Sequence, residues 1–144
     1  MHQDQFYFSK YDGTRKFSQQ DIHSAKATGF SAASDDYAER GIDLNEELIY
    51  NKPATFFMRV NSDALKESGI HKEDIVIVDR SLRPVNGKVI IVIFNGDMLI
   101  RRYERINNNI RLLADSPKLA AISIDNTCED FEIWGVVTYV IHKP

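Results

Sequence analysis

The sequence predicts a mostly-β domain, a twisted, barrel-like antiparallel sheet with one short helix and an extended N-terminal arm. Three observations predict it. Beyond Pro53, seven short runs rich in β-branched and aromatic residues (55–60, 74–79, 88–94, 98–102, 110–114, 121–124 and 131–141) leave little room for helices. Phe94-Asn95-Gly96-Asp97 joins two of these runs through Asn-Gly, the pair that supplies the positive φ angles of a type I′ hairpin turn. The runs at 75–78 and 89–94 are almost continuously apolar, the pattern of strands buried on both faces.

The 144 residues, 43% of them hydrophobic, suit one compact domain with an arm left over. Residues 1–40 are rich in Ser, Gln, Asp, Lys and Ala. Apart from Phe6, Tyr7 and Phe8 they carry no sustained period of 2 or 3.6, and they read as the arm. Within it, residues 24–33 are small-residue chain around Gly29, suited to a flexible linker or to an extended segment held in a peptidase site. Residues 41–144 form the domain. It opens with Ile42, Leu44, Leu48 and Ile49 at helical spacing, with Asp43 as N-cap and Glu46 three residues on, a short amphipathic helix expected to lie against the sheet. After the hairpin, Asn107-Asn108-Asn109 leads to Leu112 and Leu113 and extends a meander.

Composition removes several function classes. The formal net charge of −3 and pI near 5.8 supply no global positive field for nucleic acid. The most basic patch, Arg101-Arg102 with Arg105, is split between sheet faces by strand alternation, so no direct sequence-specific DNA binding is expected. The one cysteine, Cys128, sits among Asp125, Glu129 and Asp130, can form no internal disulfide, and fits a reducing cytoplasm. No signal peptide or membrane anchor is indicated, since the longest apolar stretch, 89–94, is far too short to span a bilayer. His2, His23, His71 and His142 are scattered without ligand spacing, and no glycine-rich loop opens a helix, so neither a metal nor a cofactor is expected. The carboxylates, Glu73-Asp74 among them, read as a solvated acidic surface.

One stretch carries more information. Residues 54–70, ATFFMRVNSDALKESGI, are followed closely by Glu73-Asp74-Ile75-Val76-Ile77-Val78-Asp79. This resembles the core signature of the LexA/UmuD family of SOS-response serine autopeptidases: a strand leading to Gly-Asp-Ser-Met, a turn to Gly-Ile, then Gly-Asp and an apolar strand ending in Val-Asp. Upstream, residues 37–49 are similar to the segment with which UmuD enters its folded domain. Downstream, Asn86-Gly87-Lys88-Val89-Ile90 and residues 95–103 resemble the hairpin that bears the family's catalytic lysine. Trp134-Gly135-Val136-Val137 resembles its closing strand. The resemblance runs over about residues 24–144, with every element in order.

The resemblance implies a serine/lysine dyad, in which a desolvated neutral lysine takes the hydroxyl proton as the serine attacks a peptide bond. Setting Asn61-Ser62-Asp63-Ala64-Leu65 on the family's Ser-Gly-Asp-Ser-Met puts Ala64 at the nucleophile position, and setting the Asn-Gly turn puts Arg101 at the base position. Alanine has no oxygen, and a guanidinium stays protonated, so both roles are lost. A displaced dyad of Ser62 and Lys88 is poorly placed. If Phe94 pairs with Asp97, Lys88 opposes Tyr103 and lies diagonally about 7–8 Å from Arg101. Ala64 could also be an engineered replacement of serine, but Arg101, Ser62 and Leu65 all depart from the family pattern and favour natural drift. The family's scissile bond falls at Thr28-Gly29, with Gly29-Phe30 matching UmuD, as a vestigial cleavage site.

The resemblance therefore implies a UmuD-like accessory protein for error-prone translesion synthesis that is inactive as a peptidase. Its implied partners are a second copy in a homodimer, an active UmuD-like paralogue in a heterodimer, the RecA filament, a Y-family DNA polymerase and the sliding clamp. The alternatives are a LexA-like or phage-type repressor and an active autopeptidase. A repressor would need some sixty or more residues of helix-turn-helix before the domain, where about forty are present without helical period.

Overall fold

The computed structural model describes residues 7–10, 41–125 and 130–144. Its strands are β1 (Tyr7–Lys10), β2 (Thr55–Arg59), β3 (Ile75–Asp79), β4 (Val89–Phe94), β5 (Asp97–Ile106), β6 (Asn109–Leu113), β7 (Ile122–Ile124) and β8 (Phe131–Ile141). One α-helix, α1 (Leu44–Leu48), and two 3₁₀ turns, Lys52–Ala54 and Lys66–Ser68, complete the described elements. The mostly-β expectation is borne out. All eight strands join one antiparallel sheet in the order β1-β2-β3-β8-β4-β5-β6-β7.

Local chemistry places the turns. Asn95 and Gly96 take φ of +51° and +84° between β4 and β5, the type I′ geometry read from the sequence. Asn107 and Asn108 take φ of +49° and +69° and form a second two-residue turn, which joins β5 directly to β6 in the expected meander. Asparagine tolerates the left-handed region, and β5 consequently runs on to Ile106 rather than stopping at Arg102.

The last strand is inserted between β3 and β4, which makes those three the centre of the sheet. Its two register shifts fall opposite Ile77/Val78 and Ile91/Val92, leaving Thr138 and Trp134 as the extra residues of two bulges. Gly135 lies between them, where its missing side chain lets β8 approach Val78. Arg80 secures this crossing: its guanidinium stacks 4.5 Å over the Trp134 ring, and its Nε donates to the Trp134 carbonyl at 2.9 Å.

Strand alternation gives two cores. Met58, Val60, Leu65, Ile70, Val76, Val78, Ile91, Ile100 and Val137 form one. Ile90, Val92, Leu99, Tyr103, Leu112, Ile124 and Val136 form the other. Neighbours in sequence such as Ile90 and Ile91, or Val136 and Val137, thus serve opposite faces, and the near-continuous apolar runs are explained by burial on both. A fully buried isoleucine such as Ile91 contributes roughly 1.5–3 kcal/mol over its exposed state.

The helix is shorter and less buried than expected. Asp43 caps it, accepting from the Asn45 amide at 2.9 Å. With little more than one turn, however, it cannot present a continuous apolar face. Ile42 and Leu44 are 78% and 62% exposed, and contact with the sheet falls to the residues after it: Ile49 is buried and the Tyr50 hydroxyl meets that of Tyr139 on β8 at 3.3 Å.

Candidate active site and its neighbours

Ala64 lies in the segment between β2 and the 3₁₀ turn, a stretch held by its own backbone and by two outside anchors. The Val60 amide donates to the Asp74 carbonyl and the Glu73 amide to the Val60 carbonyl, both at 2.8 Å, so the segment leaves and returns at one point. Gly69, at φ +91°, closes the 3₁₀ turn, and the Ile70 amide returns to the Leu65 carbonyl at 3.1 Å. The first outside anchor is the Asp115 amide, which donates to the Ala64 carbonyl at 2.8 Å. The second is the Asp115 carboxylate, whose two oxygens accept from the Ser68 amide at 2.7 Å and the Ser68 hydroxyl at 2.9 Å.

The Ala64 side chain is a buried methyl, 1% exposed. Ser62 is also buried, and its Oγ accepts from the Ala64 amide at 3.0 Å, a local side-chain turn that fixes the hydroxyl against the backbone. Arg101 lies in β5 opposite Ile90, on the face shared with Leu99 and Tyr103. It is 7% exposed, and one of its guanidinium nitrogens donates to the Ile100 carbonyl at 2.7 Å. Arg102, on the opposite face, bonds the Gly87 carbonyl instead, and Arg105 is exposed, so the three arginines make no common patch. Arg102 pairs with Leu113 at the end of β6, and Asp115 lies two residues further on. The anchor on Ala64 therefore comes from just beyond the strand that pairs with β5. Thr28 and Gly29 lie outside the described residues.

The register read from the hairpin is the register found. Phe94 pairs with Asp97 and Ile90 with Arg101, and the Tyr103 amide donates to the Lys88 carbonyl at 2.8 Å. Lys88 is exposed, whereas the lysine of a dyad requires a water-excluded setting.

Folding also gathers groups that the sequence scatters. Asp74, read as a surface carboxylate, is 2% exposed, because it closes the turn before β3 by accepting from the His71 amide at 2.8 Å. Ile75 pairs with Ile141, so the next step of that register sets Asp74 opposite His142, whose Nδ1 is 2.6 Å from Asp74 Oδ1. His71 Nδ1 is 3.7 Å from Oδ2. Burial works to raise the Asp74 pKa, but the His71 amide and the His142 ring outweigh it and hold the carboxyl below its ordinary range. No spacing rule reveals this cluster. Its signal is the β3–β8 register, across 68 residues.

Residues 21–138 match the Peptidase S24-like family. The chain belongs to that family. It is 34% identical over 116 residues to Protein ImpA of Salmonella typhimurium, covering 80% of this chain and 77% of that one. With Protein SamA of Salmonella typhimurium strain LT2 it shares 35% over 115 residues, 80% and 79% of the two chains. The LexA repressor of Shewanella denitrificans is 28% identical over 117 residues, which cover 81% of this chain and 57% of the repressor. The resemblance to LexA and UmuD is thereby borne out at the level of family. Among the described residues, no helix is long and apolar enough to cross a membrane.

Proposed function

We propose that this chain is a UmuD-like accessory protein for error-prone translesion synthesis in the SOS response, working in the cytoplasm and unable to cleave itself. The observation that carries the loss of cleavage is the pairing of residue types at the two dyad positions: a buried methyl at Ala64 and a buried guanidinium at Arg101. Neither supplies what the serine/lysine mechanism requires, an oxygen nucleophile and a base able to lose its proton. Ser62 does not replace the nucleophile in this reading, since its oxygen is engaged by the Ala64 amide and Lys88 stands in solvent. The similarity to ImpA and SamA over about four-fifths of each chain supports the UmuD-like role over the repressor role.

In this reading Thr28-Gly29 is a vestigial scissile bond, and the arm stays attached unless an active relative cuts it in trans. The chain pairs with a second copy or with an active UmuD-like paralogue. An uncut arm and an empty site would hold such a mixed dimer in its uncleaved state. The RecA filament, a Y-family polymerase and the sliding clamp are the further partners.

The test is the intact mass of the purified chain after incubation with activated RecA filament and, separately, at alkaline pH. Full-length mass in both supports the proposal. Loss of residues 1–28 refutes it and makes Ser62 the first suspect for the nucleophile.

A further inference from the structure

We infer that His71, Asp74 and His142 form a binding site for a divalent transition-metal ion, with Zn²⁺ the best fit. Their side chains offer three ligand atoms that all lie within 4.8 Å of one another: one imidazole nitrogen from each histidine and one carboxylate oxygen. The two rings stand 4.9 Å apart, centroid to centroid. His71 Nδ1 is buried and has no hydrogen-bond partner, which leaves a polar atom aimed into the cluster without compensation. A cation bound between the three groups would supply that missing partner.

The donor set selects the ion. Two imidazoles and a carboxylate suit Zn²⁺ and its neighbours, whereas Ca²⁺ and Mg²⁺ prefer oxygen ligands throughout. Three protein ligands leave a fourth position of the tetrahedron for water or for a donor from another molecule. Ligand atoms about a tetrahedral Zn²⁺ stand roughly 3.3 Å apart. Here His142 Nδ1 lies 2.6 Å from Asp74 Oδ1 and His71 Nδ1 lies 3.7 Å from the other oxygen, Oδ2, so bringing both rings about one ion needs shifts on the order of 1 Å or somewhat more.

The two histidines can make those shifts, because their side chains are 39% and 50% exposed. Asp74, whose side chain is buried and bonded to the His71 amide, is the fixed member. Binding replaces the direct His142–Asp74 hydrogen bond by two metal–ligand bonds. It would clip the chain just past β8 to the turn that precedes β3, and so fasten the C-terminal end of the domain.

The experiment is calorimetric titration of Zn²⁺ into the full chain after chelator treatment and dialysis, beside His71→Ala, His142→Gln and the double variant, all checked for native circular dichroism. Co²⁺ substitution reports the coordination geometry through its visible absorption. The expected result is one Zn²⁺ per chain, an affinity lower by about a hundredfold or more in each single variant, and a tetrahedral Co²⁺ spectrum lost in both. Failure to bind Zn²⁺ would overturn the inference. So would equal binding by the double variant and the parent chain, which would move the site to groups such as His2, His23 or Cys128.

Discussion

The Ala64 carbonyl accepts a 2.8 Å hydrogen bond from the Asp115 amide, while the carboxylate of the same aspartate accepts both the amide and the hydroxyl of Ser68. Asp115, two residues beyond the end of β6, thus ties down both Ala64 and Ser68 in the segment that carries the proposed nucleophile position. Asp115→Ala keeps the backbone bond and removes the other two. We expect a loss of about 1–2 kcal/mol in urea denaturation, the pair being partly solvated, and faster amide exchange at Ser68. Unchanged exchange there would show that the segment is held by its own turn alone.

Restoring the dyad tests the assignment of positions 64 and 101 together. Ala64→Ser alone should leave the chain intact at alkaline pH, because a guanidinium still occupies the proposed base position. Ala64→Ser combined with Arg101→Lys should begin to lose residues 1–28, read by intact mass, since a buried lysine can become neutral and accept the serine proton. If the double variant is as stable as the parent, the base position lies elsewhere.

Gly135 has no room for a side chain. A Cβ there would stand 2.5 Å from Val78 Cγ1, a side chain at the centre of the first core, and 3.5 Å from the Asp79 carbonyl oxygen. Gly135→Ala should destabilise the domain by about 1–3 kcal/mol, as overpacking of a filled core does. The midpoint of thermal or urea unfolding measures it, and a neutral result would mean that β8 can move away from β3 without cost.

The hydroxyls of Tyr50 and Tyr139 meet at 3.3 Å, and this contact raises the Tyr139 pKa above its ordinary value of 10.0, with Glu47 adding to the effect. A raised folded-state value favours the neutral phenol in the folded chain. Its contribution is full below the unfolded value and is lost as pH rises through the folded one. Tyr50→Phe should bring the Tyr139 titration back down toward the ordinary value, followed by ring-carbon NMR of labelled tyrosine. No change would assign the shift to Glu47 and burial instead.

Much of this was legible in the sequence because it is local. The strand runs from 55 onward, the Asn95-Gly96 turn and the Asp43 cap depend on residues a few positions apart, and each was found close to where local rules put it, apart from the far end of β5. The rules fell short where a local signal had two outcomes. Asn107-Asn108 could make a loop or a tight turn, and cross-strand pairing of β5 with β6 selected the turn. The apolar spacing of 42–49 could mark a buried helix face, but a five-residue helix exposes half of it.

By itself the sequence determined the β class, the β4–β5 register and the family, and it determined which atoms stand at positions 64 and 101, since a side chain's chemistry needs no fold to be known. Tertiary structure alone decided that β8 lies between β3 and β4, that Asp115 holds Ala64, and that Asp74 is buried beside His71 and His142. The physical reason is that alternation along a strand fixes which face a residue takes but not which strand lies beside it. That choice belongs to the packing of the whole sheet, and contacts such as Asp74 with His142 exist only once it has been made.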